Sequence, residues 1–590
     1  MTTSSTASTA STAPSSAPLT ASTPSPTKRN KRIGIVGAGT GGLGALLALL
    51  DLPQEYREGW TVEVLEKRQD VGGIWLPENT GELGEATPET GLYPALTTNT
   101  AVPTMTFSGY PFPPATALFP SHTHIRSYLS SVVERAQLQP YLHFGVSVEH
   151  AAYEDRRWVV KVARSAVSGK EEATGGTRGE LEVREYDHLI VATGRYHHPN
   201  LVHYAGEEDW LATTSSSSSA GEDLSRPGRE IVHSLWYRGP EKYEGRTVVV
   251  VGFGASGWDI ASQIQPVADE VYHSYTPHPE APVQLPPVVG TVYKPRISHF
   301  TPDAVVFADG SALPAPADSP VSIILATGYS LSIPFLSPHL LQHAPLSPSS
   351  PPPGTLTTNG EYIRPLYRDL IALDPRLPPN ALGIIGLPWH VAASQASYIQ
   401  GLVLAHAFAS EDEAALLPEK CQEGALKALV EEEEERKKVD KVEPFEVGHN
   451  YNFRPSQPED YQDSLLALLR TRSSIPLPPH LSSPSTPYVP AWRRWGRSET
   501  IKLRTAFAAA VAEGVEEQFR AEEGTEEEWV EVLERLRAYM QTSEKKEQAA
   551  KEAEAEKSAV SAVEAENEKE NKPLAVPTAA TEANKVTVEA

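Results

Sequence analysis

Two copies of one pattern, an apolar strand followed by a glycine-rich turn and a helix, predict an α/β fold with two Rossmann-like domains. The first copy runs Arg32–Val36, then GAGTGG, then the Ala/Leu-rich run Leu43–Leu50. The second runs Thr247–Val251, then GFGASG, then a helix start at Trp258–Ile264. A third observation marks off the remainder: from about Glu411 the chain turns acidic and helical.

Further elements follow in order. Thr61–Leu65 reads TVEVL and ends at Glu66, which closes the first strand–helix–strand unit. Ile125–Leu138 has helical spacing, and Trp158–Val162 alternates like a strand. His188–Ala192 is an apolar strand leading into Thr193-Gly194, and Val321–Leu325 leads into Ala-Thr-Gly in the same way. The polar or Pro-rich stretches Ala166–Glu180, Thr213–Ala220, Pro277–Pro287, Ser347–Gly354 and Pro476–Pro490 are expected as loops. The run Glu431–Glu435 is expected as a solvated face, and Glu526–Met540 as an amphipathic surface helix. The first 27 residues, nearly all Ser, Thr, Ala and Pro, are expected as a disordered tail. After Ser543 so little is apolar that a disordered tail or a frayed helix is expected.

Composition excludes several classes. A net charge of −25 over 590 residues argues against a nucleic-acid partner, which needs clustered Lys and Arg. Small anionic ligands stay open, because glycine loops bind them with backbone N–H groups. Cys421 is the one cysteine, so no intramolecular disulfide forms and no Cys pair relays electrons, which removes the flavin disulfide reductases. It also makes a reducing, cytoplasmic setting the simplest reading. No uncharged apolar run approaches the roughly 20 residues of a membrane span. His122/His124 and His197/His198 lack Cys or acidic partners at ligand spacing, so no metal site is expected.

The glycine loops carry the chemistry. In Gly37-Ala38-Gly39-Thr40-Gly41-Gly42, glycine permits the tight turn, lets the backbone approach a pyrophosphate, and lets helix and strand pack closely. The pyrophosphate then rests on the helix N-terminus. Such a loop alone is a weak signal. Glu66 strengthens it, standing 24 positions after Gly42 at the end of the next strand, where a carboxylate accepts hydrogen bonds from a ribose. The second loop supplies Gly252, Gly254, Ser256 and Gly257, with Trp258 and Asp259 opening the helix. Its next strand, Glu270–Ser274, ends in Ser274-Tyr275-Thr276, which neither repels nor grips a 2′-phosphate.

Around these loops the sequence resembles the flavin-containing monooxygenase family, especially its fungal members. Lys67 and Gly72-Gly73-Ile74-Trp75 are similar to the family's stretch along the flavin, and Leu96-Thr97-Thr98-Asn99 to its TN segment. Tyr110-Pro111-Phe112-Pro113 is similar to the aromatic–proline run that follows. His233-Ser234-Leu235-Trp236-Tyr237-Arg238 matches the second half of the family fingerprint, while Pro227, Gly228 and Arg229 depart from the first half. Ala326-Thr327-Gly328-Tyr329 and Gly383–Pro388 match two further motifs, so the resemblance covers about residues 32–408.

The resemblance implies FAD at the first loop, NADP at the second, and an FAD domain split in sequence around the NAD(P) domain. The expected boundaries are a tail at 1–30, FAD domain at 31–200, NADP domain at 201–320, FAD domain again at 321–410, acidic helical extension at 411–542, and a tail at 543–590. It implies an NADPH- and O2-dependent monooxygenase acting on nitrogen or sulfur of a small molecule through a C4a-hydroperoxyflavin. The cofactor does the hard chemistry and the protein excludes water. Asn99 would hydrogen-bond near flavin and nicotinamide, with Thr98 and Gly328 in the cofactor shell. Baeyer–Villiger oxygenation is an alternative, weighed against by Tyr237 where that relative carries Trp. A non-oxygenating NAD(P)H oxidase or degenerate scaffold is another, supported by the altered 227–229 segment. The substrate and any homo-oligomer are left open.

Overall fold

The computed structural model describes residues 1–2, 30–78, 87–164, 181–215, 228–276, 286–317, 319–347, 354–454 and 456–570. The expectations for the N-terminal tail, for 166–180, for most of 213–220 and 277–287, for 348–353 and for 571–590 lie outside the described residues, as does Pro227.

The chain opens a parallel sheet with β1 (Arg32–Val36), crosses it through α1 (Thr40–Leu50), and returns as β2 (Thr61–Glu66). Helix α2 (His122–Arg135), β3 (Leu142–Phe144) and β4 (His188–Val191) follow. A second sheet is then built from β5 (Arg229–His233), β6 (Thr247–Val251), helix α3 (Ala255–Ile264), β7 (Glu270–Ser274), β8 (Val292–Lys294) and β9 (Val321–Leu325). The chain finally returns to the first sheet with β10 (Leu366–Tyr367), β11 (Ile371–Ala372) and β12 (Leu382–Ile384), followed by α4 (Ala393–Ala409). The seven-stranded sheet has the order β10-β11-β12-β4-β1-β2-β3, and the five-stranded sheet β8-β7-β6-β9-β5. The first domain is therefore split around the second.

One boundary moves. The return to the first domain is expected at residue 321, yet β9 pairs with β6 and β5 along its whole length, Val321 opposite Thr247 and Arg229. The second domain thus extends through Leu325; an apolar strand leading into Ala-Thr-Gly fits either sheet, and pairing decides.

Both sheets are covered on both faces, which is why their strands are continuously apolar. Ile33, Ile35, Val64 and Ile190 face α1 and α4, while Val36, Leu65, Leu189 and Val191 face Trp158 and Tyr186 of an antiparallel meander. No helix among the described residues is long and apolar enough to cross a membrane.

The acidic C-terminal region is built onto the first domain. Helices α5 (Gln422–Val439), α6 (Gln457–Arg472), α7 (Ala491–Ser498), α8 (Thr500–Ala512) and α9 (Glu526–Glu570) contribute Leu429, Leu465, Leu503, Trp529 and Leu536 to buried positions. Trp529 is sealed in and donates its indole N–H to Phe112 O at 3.0 Å. Helix α9 continues past Ser543 to Glu570, so of the two expectations there the helix is the one seen and the disordered tail is not: Ala, Glu, Lys and Gln are strong helix formers and support one another at i,i+4.

The glutamate run is a second correction. Glu433 and Arg436 face inward from α5, because the edge of the sheet offers partners. Arg364 clamps Glu433 with Nε–Oε1 at 2.9 Å and Nη2–Oε2 at 2.5 Å, and Arg368 approaches Glu432 at 3.5 Å. Glu433→Ala would leave Arg364 buried and unpaired, so we expect a loss of about 3–5 kcal/mol in denaturant unfolding. A loss near that of an exposed pair, under about 1 kcal/mol, would remove this ion pair as a weld.

Candidate active site

The first loop lies where β1 meets α1. Gly37 adopts φ +104°, and a Cβ there would come 2.7 Å from Ala192 O. A Cβ on Gly42 would come 1.9 Å from Gly37 O, so helix and loop approach only because that position is bare. Gly39 caps α1 without any side-chain hydrogen bond, leaving first-turn N–H groups for a ligand.

This loop opens into a cavity of about 800 Å³. Gly37, Gly39, Gly41, Glu66, Lys67, Ile74 and Trp75 all line it. Gly42 stands behind the lining as the packing glycine. The buried Glu66 carboxylate accepts from Ala38 N–H at 2.7 Å and from Arg68 N–H at 2.9 Å, so it fixes the loop while facing the cavity. Lys67 pairs with Glu89. Beside α1, Ala393, Ala396 and Ser397 line the cavity from the start of α4, whose N-cap Ala392 supplies no capping side chain. Two helix N-termini on one cavity offer backbone N–H groups to a ligand with a pyrophosphate, as FAD has.

The structure adds wall residues that no motif announces. Arg195 is buried, donates from Nη1 to Leu387 O at 2.7 Å, and lies 5.3 Å from the Trp389 ring centre. Burial lowers its pKa, yet a guanidinium starting so high stays charged. Trp389 and His390 line the same cavity, and His390 adopts φ +66°. His197 donates from Nε2 to Thr193 O at 2.8 Å. These residues come together only through tertiary folding, so spacing gives no signal. Among the described residues no three His, Cys, Asp or Glu side chains gather as metal ligands.

The second loop repeats the first. Gly252 has φ +102°, and a Cβ on Gly257 would meet Gly252 O at 2.0 Å. Gly254 faces open space, with nothing within 4 Å of an added Cβ. Ser256 is exposed on the first turn of α3. Phe253 stacks on Tyr275 with ring centres 4.7 Å apart. Ser274 is buried and donates to Pro295 O, so its hydroxyl is engaged. Its strand partner is Lys294 of β8, whose Nζ reaches Ser311 Oγ at 3.1 Å. A cation beside the end of β7 is therefore present, supplied by a neighbouring strand rather than by the motif's own.

The two domains meet at Asp259 on α3. Its Oδ2 accepts from the Tyr93 hydroxyl and from Gln263 Nε2 at 2.8 Å, and Arg504 Nη2 lies 3.5 Å from Oδ1. Trp258 anchors the adjoining loop through Nε1 to Pro286 O at 2.7 Å. Thr98 is buried and donates to Thr100 O, whereas Asn99 is exposed and lies outside the lining of the large cavity. The Asn99 side chain instead meets Arg504, Nη1 to Oδ1 at 2.5 Å.

The fingerprint segment straddles the same junction. His233 accepts Leu235 N–H on Nδ1 at 3.0 Å, so Nε2 carries the proton donated to Gly328 O at 2.9 Å. Burial holds this imidazole below its usual range and hence neutral. Gly328 adopts φ +79°, and its carbonyl also accepts Asn200 N–H. Arg229, the departure from the fingerprint, is buried, donates to Trp210 O at 2.7 Å and Pro316 O at 3.1 Å, and lies over the Trp210 ring. The departure is a structural clamp on β5, away from both loops.

A model of the flavin-binding monooxygenase-like family matches residues 30–278. Flavin-containing monooxygenase FMO GS-OX3 of Arabidopsis thaliana is 26% identical over 350 residues, 56% of this chain and 65% of the relative. FMO GS-OX5 of the same plant is 27% identical over the same shares. The chain thus spans just under two thirds of the length of these relatives. Among solved structures, S-allyl-L-cysteine S-oxygenase from Allium sativum superposes with a TM-score of 0.59 at 22% identity, covering 80% of this chain and 93% of that one. Tmm from Pelagibacter sp. gives 0.56 at 19% identity, covering 80% and 90%. These likenesses show a shared fold. Residues 30–278 of the chain thus resemble the flavin-binding monooxygenase-like family, and the two glycine loops fit FAD and NADP.

Proposed function

We propose that the protein catalyses NADPH- and O2-dependent oxygenation of a nitrogen or sulfur centre in a small molecule. The observation that carries this reading is the junction at Asp259. It sets the nicotinamide-domain helix α3 against Tyr93 of the flavin domain, and Arg504 bridges the same aspartate to Thr97 and Asn99. In balance, substrate, O2, NADPH and a proton give oxygenated substrate, water and NADP+.

Bound FAD, once reduced by the nicotinamide, supplies the activation of O2. The chain's own residues bind, orient and exclude water. Glu66 would hold the ribose hydroxyls of the bound cofactor, the α1 N-terminus would hold its pyrophosphate, and the neighbouring α4 N-terminus would offer it further N–H groups. Arg195, stacked on Trp389, closes the cavity wall with a charge that Leu387 O holds in place. At the second loop Lys294 is placed to favour a 2′-phosphate, which supports NADPH over NADH. Asn99 would meet the nicotinamide with its amide. Cys421 accepts Gly424 N–H as the N-cap of α5, so the chain's one thiol takes no part. Sulfur oxygenation by the Allium sativum protein favours a thioether as first probe.

The test follows NADPH oxidation, peroxide release and product with methyl phenyl sulfide, N,N-dimethylaniline and cyclohexanone. We expect sulfoxide or N-oxide in near-equal amount to the NADPH consumed. Lactone instead would assign the Baeyer–Villiger reaction, and peroxide alone would make the protein an oxidase.

A further inference from the structure

The acidic C-terminal region carries no motif, yet α7 and α8 lie over the junction of the two nucleotide domains. Arg497 donates from Nη2 to His390 O at 2.6 Å, and Thr500 donates to Asn99 O at 3.1 Å. Arg504 follows one turn later. Its guanidinium reaches both domains at once: Asn99 Oδ1 and Thr97 Oγ1 (3.3 Å) on the flavin side, Asp259 Oδ1 on the other. Its guanidinium carbon also lies 5.7 Å from the Trp258 ring centre.

The geometry points to Arg504 as a positioning residue of the nicotinamide site, acting through Asn99 and Asp259. A guanidinium only donates, so it fixes the Asn99 amide with its oxygen toward α8 and leaves the NH2 group to donate elsewhere. Its planar fork meets three acceptors on two domains, which an ammonium cannot do. Asp259 is already held by Tyr93 and Gln263, so Arg504 closes a chain from the flavin-domain turn to the first turn of α3. The C-terminal extension is thereby part of the active-site frame. Side chains that hold a reactive pair in register gain their effect from geometry, and a displacement of about 1 Å costs roughly 10²-fold.

This inference rests on the oxygenase reading, and the test separates the two. Arg504→Met keeps an unbranched apolar side chain and removes the fork. We expect it to purify with full flavin, to oxidise NADPH, and to make roughly tenfold less sulfoxide with a matching rise in peroxide. Asn99→Ala should show the same pattern, and Arg504→Met/Asn99→Ala should be no worse than Asn99→Ala, because both act in one chain. Asp259→Asn, which loosens the same clamp from the other domain, provides the result if Arg504→Met fails to fold. Unchanged coupling in both variants, or single effects that multiply in the double variant, would overturn the inference. If the unaltered protein makes no oxygenated product, the oxygenase reading fails, and the inference is decided by titrating the oxidised flavoprotein with NADP+. Roughly tenfold weaker NADP+ binding in Arg504→Met then upholds it, and equal binding refutes it.

Discussion

Gly39→Val is expected to give folded protein without flavin. Gly39 sits at φ −78° as the N-cap of α1, a conformation open to any residue, and an added Cβ would rest 3.4 Å from Gly73 Cα. The backbone therefore tolerates a side chain. The two branches of valine, however, would fill the gap between the loop and Gly73 through which a pyrophosphate reaches the bare N–H groups of α1. Losing two charge-assisted hydrogen bonds costs about 3–6 kcal/mol, or roughly 10²–10⁴ in FAD affinity. Flavin absorbance against protein absorbance reads the loss, and circular dichroism checks the fold. A variant purifying with full flavin would show that the first loop does not hold the pyrophosphate. Gly42→Ala is a useful contrast: its Cβ would strike Gly37 O, so the fold itself should suffer.

Gly254→Val is expected to do the opposite, keeping flavin and losing reduction by NADPH. An added Cβ on Gly254 meets nothing within 4 Å, so the second domain has room for the side chain and only a bound nucleotide would be displaced. By the same reckoning the cost is about 3–6 kcal/mol of nucleotide binding, seen as a roughly 10²-fold or greater drop in reduction at limiting NADPH. Reduction by dithionite should be unchanged, because it needs no nucleotide site. Equal rates with NADPH in variant and parent would place the nicotinamide elsewhere.

Much of this was legible from residues that act through local geometry. The turns at Gly37 and Gly252, the carboxylate at the end of β2 and the Trp75 segment are fixed by neighbours in the chain, so a motif carries them. Lys294 was not legible, because it reaches the end of β7 from a different strand. The inward faces of Glu433 and Arg436 were hidden for a related reason: a run of charges looks solvated until Arg364 is known to face it. Asn99 was found by resemblance, but its partner Arg504 lies 405 positions away in a region without motifs. The Val321–Leu325 strand shows the limit of pattern alone, since its sequence suits either sheet and only pairing with Thr247–Val251 assigns it.

The central claim is that one atom of O2 enters the substrate at a nitrogen or sulfur. The most direct measurement is mass spectrometry of the sulfoxide formed from methyl phenyl sulfide with NADPH under 18O2 in ordinary water. The account predicts one 18O per product molecule, and none when the label is instead in the water. Sulfoxide carrying oxygen from water, or an unlabelled product under 18O2, would contradict it.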